Sequence, residues 1–155
     1  MFLHNIGFDD AQIALSGILV AATIVALQIP SGILADRWSR KGVLIVSSIL
    51  LMLSTLVGGL SHDALFYIAS ILWGAFAAFC FGTYDAVLYD TLEEEAGHSE
   101  GYEHYYGRLR MHYSLALASG ALVSGVVAEL WGTRVTFWLS LPFIMLSIVA
   151  LLKFK

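Results

Sequence analysis

The stretch Gly32-Ile33-Leu34-Ala35-Asp36-Arg37-Trp38-Ser39-Arg40-Lys41 carries four charges within six residues, and it separates two apolar runs, residues 11–35 and 42–60, that contain no ionisable side chain. A helix rises about 1.5 Å per residue and a bilayer's hydrocarbon layer is roughly 30 Å thick, so each run reaches across a membrane. The charged stretch between them reads as a tight turn at a membrane surface.

The rest of the composition agrees. Hydrophobic residues make up 59% of the chain and charged ones 13%, and the apolar residues fall in long blocks rather than alternating with polar ones. The expected class is an all-α polytopic membrane protein in a single transmembrane domain, residues 1–155, with spans at about 11–35, 42–60, 64–89, 109–130 and 135–152 and a polar loop at 90–108. Asp9 and Gln12 have the spacing of a capping box at the start of span one. The turn Ser61-His62-Asp63 is short enough to force spans two and three to be antiparallel neighbours. The N-terminus lacks the basic region of a signal peptide, so the first run is expected to stay as a span.

Several chemistries find no support. Cys80 is the single cysteine, which excludes an internal disulfide, and His98, His104 and His112 lack metal-ligand spacing. No basic patch interleaved with aromatics suggests nucleic acid, and no phosphate loop or hydrolytic constellation suggests an enzyme. No cofactor is expected.

Lys and Arg set the orientation. Arg37, Arg40, Lys41, Arg108, Arg110, Lys153 and Lys155 share one face, against Arg134 alone on the other. The charged turn, the loop at 90–108 and the C-terminus are thus expected in the cytoplasm and the N-terminus outside, in the plasma or inner membrane. Small residues recur at Gly74, Ala78 and Gly82 in span three, and at Ala116, Gly120 and Ser124 in span four. That spacing makes a groove into which another helix backbone fits closely.

At an offset of 93 residues, Ser31-Gly32-Ile33-Leu34-Ala35-Asp36-Arg37-Trp38-Ser39 is answered by Ser124-Gly125-Val126-Val127-Ala128-Glu129-Leu130-Trp131-Gly132. Both segments end a span and enter a turn, and the two turns fall on opposite faces. This is an inverted repeat, matching span one to span four and span two to span five. The mate of span three falls before Met1, which implies a three-plus-three helix unit whose first helix is missing or encoded elsewhere.

These residues resemble the major facilitator superfamily of transporters, helices two to six of its N-terminal half. Gly32, Leu34, Ala35, Asp36, Arg37, Arg40 and Lys41 match that family's turn between helices two and three, with Ser39 in place of a second glycine. The resemblance implies a secondary transporter moving a small solute by alternating access, with or without a coupled ion. It also implies a partner in the missing transporter half or in another copy. A truncated or regulatory membrane protein without transport of its own is the competing reading. Within the resemblance, Gly32, Asp36, Arg37, Arg40 and Lys41 form an inner gate. Asp36 meets a helix of the other half, and the basic residues pair with an acid at the end of helix four: Asp85, Asp90 or Glu93. Asp85, about 32 Å along its helix from Ala64 at 1.5 Å per residue, is read as a gate salt-bridge partner near the interface. Ser70 stands where drug–proton exchangers of the family often carry arginine, and Gly120-Ala121 where they carry Gly-Pro, so these residues do not support proton-coupled drug export.

Overall fold

The computed structural model describes residues 8–60, 64–96 and 102–153, and these form five helices: α1 Asp10–Arg37, α2 Arg40–Leu60, α3 Ala64–Ala96, α4 Tyr102–Trp131 and α5 Thr133–Lys153. Each is long and apolar enough to cross a membrane. The turn Ser61-His62-Asp63, His98 and Lys155 lie outside the described residues.

Local chemistry explains the boundaries. The Gln12 N–H donates to Asp9 Oδ1 at 2.7 Å and the Asp9 N–H to Gln12 Oε1 at 3.0 Å, closing the capping box of α1. The helix runs on through Asp36 and Arg37 until Trp38, whose N–H still reaches Leu34 O at 2.9 Å while its ψ of −84° turns the chain away. Ser39 then accepts the Gly42 N–H at 2.8 Å and caps α2. The charged turn is therefore two residues long, and its four charges sit on the ends of two helices.

The polar segment expected as a loop at 90–108 is mostly helical. α3 continues to Ala96 and α4 begins at Tyr102. Polarity marked where the membrane ends, but Thr91 to Ala96 contain no residue that stops a helix, and the first glycine comes at position 97.

α3 is the hub, packing along both α1 and α2, while α2 packs on α5 and α4 leans mainly on α5. The closest approach is at Gly74, where a Cβ would lie 2.8 Å from Val20 O and 2.9 Å from Thr23 Cβ. Two serines tie the hub to its neighbours. Ser31 Oγ shares its proton between Gln28 O and Ala78 O, at 2.9 and 3.0 Å, and Ser54 Oγ donates to Ala69 O at 2.8 Å. Such bonds replace the hydrophobic driving force that helices lack in lipid. On the other side of α2, a Cβ on Gly58 would come within 2.8 Å of the Phe137 ring. The perimeter is studded with exposed apolar side chains such as Val25, Ile29, Leu122 and Leu146, as a lipid-facing surface requires.

The helix ends carry the repeat seen in the sequence. α2 and α5 are each 21 residues long, and Arg40–Leu60 moved by 93 residues is Thr133–Lys153. The ends of α1 and α4 agree with that offset to within one residue.

Candidate functional site

The charged residues gather at one end of the bundle. Arg40 and Lys41 open α2, where the helix dipole already places positive partial charge, so an added cation costs about 0.3–1 kcal/mol unless it finds a partner. Both do. The Arg40 guanidinium donates to the Asp90 carboxylate and to Ala86 O on α3, the latter at 3.1 Å. Lys41 Nζ reaches Leu152 O at 3.3 Å, the negative end of the α5 dipole. Arg40 thus pins the turn to α3, and Lys41 pins it to α5. The Arg40 and Asp90 side chains remain 35% and 51% exposed. Exposed pairs in water contribute only about 0.2–1 kcal/mol, so this pair fixes position more than it stabilises.

Among the three acids named from the sequence, Asp90 is the one beside Arg40. Asp85 lies 3.9 Å from Arg110 of α4 instead, and Arg110 is also held by the Tyr106 hydroxyl at 2.9 and 2.6 Å. Glu93 is exposed on the last turns of α3. Asp36 and Arg37 are exposed as well, with no side-chain hydrogen bond or close ion pair to a described residue, although the Asp36 charge is felt by Arg40 across the turn. Asp36 sits at the negative end of its own helix, where a carboxylate is disfavoured. Gly32 is exposed, with nothing within 4 Å of where a Cβ would be.

The small-residue positions divide. Gly74 and Ala78 lie in the α1–α3 contact, whereas a Cβ at Gly82 or Gly120 would meet nothing within 4 Å and Ser124 is exposed. Gly120 and Ser124 border a cavity of about 490 Å³ between α4 and α5.

Sequence reasoning missed three features. The Gly58–Phe137 contact left no pattern because it joins distant helices, and the cross-helix serine bonds look like any polar residue in an apolar run. The cap at Ser39 was legible, since serine three residues before a helical N–H is a capping arrangement. It was read only as a departure from glycine.

Comparison with known proteins bears on what this end of the bundle is. The chain is 24% identical to the multi-drug resistance efflux pump PmrA of Streptococcus pneumoniae over 166 residues, in both the serotype 4 strain TIGR4 and strain R6. The match covers 99% of this chain and 38% of that protein, so the chain spans well under half the length of these relatives. No solved structure matches it significantly. The model of the Major Facilitator Superfamily matches residues 1–155, from one end to the other. With five apolar helices and a charged turn tied to the third of them, the chain belongs to the major facilitator superfamily of membrane transporters.

Proposed function

We propose that this chain forms part of a secondary transporter that moves a small solute by alternating access, with the charged turn as the hinge of its cytoplasmic gate. The observation that carries the reading is the division of labour within the turn. Arg40 and Lys41 are held by α3 and α5, while Asp36 and Arg37 are exposed and make no side-chain hydrogen bond or close ion pair to a described residue. A turn anchored on one side and charged on the other suits a surface that another helix bundle meets and leaves. The exposed Asp36 carboxylate at the end of α1 would be stabilised by the N-terminus of an arriving helix, by about 0.3–1 kcal/mol for an exposed contact. That is a suitable size for a gate, since tight closure would stall the cycle.

The bundle that meets the turn is the transporter's second half or another copy. Seven basic residues against one favour the cytoplasmic side for the turn. The reading concerns passage of a solute and invokes no catalysis. The relatives' name speaks of drugs, but Ser70 gives no support to proton-coupled drug exchange here. It is buried, and its hydroxyl donates to Phe66 O of its own helix at 2.9 Å, leaving no charge at that place.

The test uses cells expressing the native polypeptide and a panel of labelled small solutes. At least one solute should accumulate or be depleted relative to cells without the protein. Asp36→Asn and Arg40→Gln should each change that flux by about two- to fivefold at unchanged amounts in the membrane. Movement of no solute would favour a regulatory membrane protein. Unchanged flux in both variants would reduce the turn to a topology signal.

A further inference from the structure

α3 carries two aspartates toward the charged end of the bundle, and their surroundings differ. Asp90 accepts the Arg40 guanidinium, while Asp85 points to another side of the helix and accepts no hydrogen bond from a described residue. It faces Arg110 of α4 at 3.9 Å, beyond hydrogen-bonding reach. Both residues fall within stretches apolar enough to cross the membrane, Leu65–Thr91 and Glu103–Trp131, yet their side chains are 49% and 54% exposed. An acid in such a stretch is retained where it faces protein or a water-filled path rather than lipid.

What this place lacks is donors. Arg110 is already served by its own helix: it donates twice to the Tyr106 hydroxyl, at 2.9 and 2.6 Å, and its guanidinium carbon lies 5.1 Å from the centre of the Tyr106 ring. The Asp85 carboxylate only accepts, so a ligand that completes it must bring N–H groups, and a positive charge makes those bonds strong. The neighbouring rings suit the same ligand. Phe81 and Tyr89 stand one helical turn before and after Asp85 on one stripe of α3, and both are exposed. Tyr84, exposed as well, is near enough to feel the charges of Asp85 and Arg110. The faces of such rings attract cations, as Tyr106 does Arg110. Contact with lipid accounts for the rings but not for a carboxylate set between them.

We propose that Asp85, flanked by Phe81 and Tyr89, binds an organic cation, a primary ammonium or guanidinium on an apolar body, and that Arg110 is the tethered cation this ligand displaces. The assignment rests on the solute reading above and names the class of solute. Arg110 balances the carboxylate while the site is empty and stays on Tyr106 when the ligand takes Asp85. Arg110 is thus a competitor, so removing it strengthens binding. An ion pair that only supported the fold would respond alike to the loss of either member.

The test uses the purified native polypeptide in detergent and reads equilibrium binding of radiolabelled phenethylammonium, with hydrocinnamate as an anion of similar shape. The ammonium should bind saturably and the anion should not. Asp85→Asn should weaken binding about tenfold, and Arg110→Gln should strengthen it about two- to fivefold. Phe81→Leu and Tyr89→Leu should each weaken it about two- to fivefold. No saturable binding of the ammonium, equal binding of the anion, or weaker binding in Arg110→Gln would overturn the assignment, and the last of these decides the matter even where Asp85→Asn fails to fold. Binding is read without flux, so the two readings fail separately: a protein that moves other solutes but ignores phenethylammonium keeps the solute reading and loses this one.

Discussion

The first copy of the repeat, α1 and α2, and the second, α4 and α5, are built from helices of nearly equal length joined by short turns, yet they are packed very differently. In the first, the serines of the inner face are buried and α3 closes to within contact of the α1 backbone at Gly74. In the second, Ala116, Ser124, Ser140 and Ser147 of the corresponding face are exposed and Thr136 is half-buried. The helices are set by composition and caps, which both copies have. The packing is set by small residues and hydroxyls meeting a partner, and among the described residues only the first copy meets a third helix along that face. The turns differ in the same way. Trp38 and Ser39 join α1 to α2 through a serine cap, while α4 passes to α5 through Gly132 at φ +86°.

The largest effect should follow from filling the closed groove. Gly74→Leu drives a side chain into Val20 O, which is backbone and cannot step aside. The expected loss is about 3 kcal/mol or more, seen as a collapse of the monodisperse peak on heating in detergent. Gly120→Leu in the chain described here should change stability by no more than about 0.5 kcal/mol, because its surroundings are open. Equal losses at the two glycines would end the contrast between the copies.

Next comes the joint between the copies. Gly58→Ala places a methyl 2.8 Å from Phe137 and should cost about 1–3 kcal/mol, and adding Phe137→Ala should recover part of that, a coupling that a double-mutant cycle on melting temperature reads directly. Additive losses would mean that α2 and α5 do not meet there.

The turns should respond to opposite substitutions. Gly132→Ala must adopt the left-handed region and should cost about 1–2 kcal/mol, while Ser39→Gly should cost only a few tenths, since glycine is itself a tolerated cap. An effect smaller than that of Gly132→Ala is expected at Asp90→Asn. It should lower thermal stability by no more than about 1 kcal/mol, shrinking further in high salt, because the pair with Arg40 is half exposed.

Much of this frame was legible in the sequence. Five apolar runs, the Asp9–Gln12 cap and the offset of 93 are properties of the chain alone, and the ends of α1, α2 and α5 follow the runs to within a few residues. The reach of α3 to Ala96 was not legible from hydropathy, because a helix that leaves the membrane loses its apolar pattern without losing its backbone bonds. Nor was the choice among Asp85, Asp90 and Glu93. All three are acids near the end of one helix, and which of them meets Arg40 depends on how α3 is rotated against α2. Rotation is decided by contacts such as Ser54 with Ala69, and no local spacing records those. Asp36 and Arg37 could be named from their neighbours, but their exposure becomes visible only when Arg40 and Lys41 are seen to be taken.

The inversion of the repeat underlies the contrast between the two copies, and the paired tryptophans Trp38 and Trp131 test it. They stand 93 residues apart, one in each turn, and are 61% and 66% exposed. With Cys80→Ser as background, Trp38→Cys and Trp131→Cys can be treated with a membrane-impermeant maleimide in intact cells and again after permeabilisation. Position 131 should label in intact cells, and position 38 only once the membrane is opened. Labelling of both from the same side would contradict an inverted repeat.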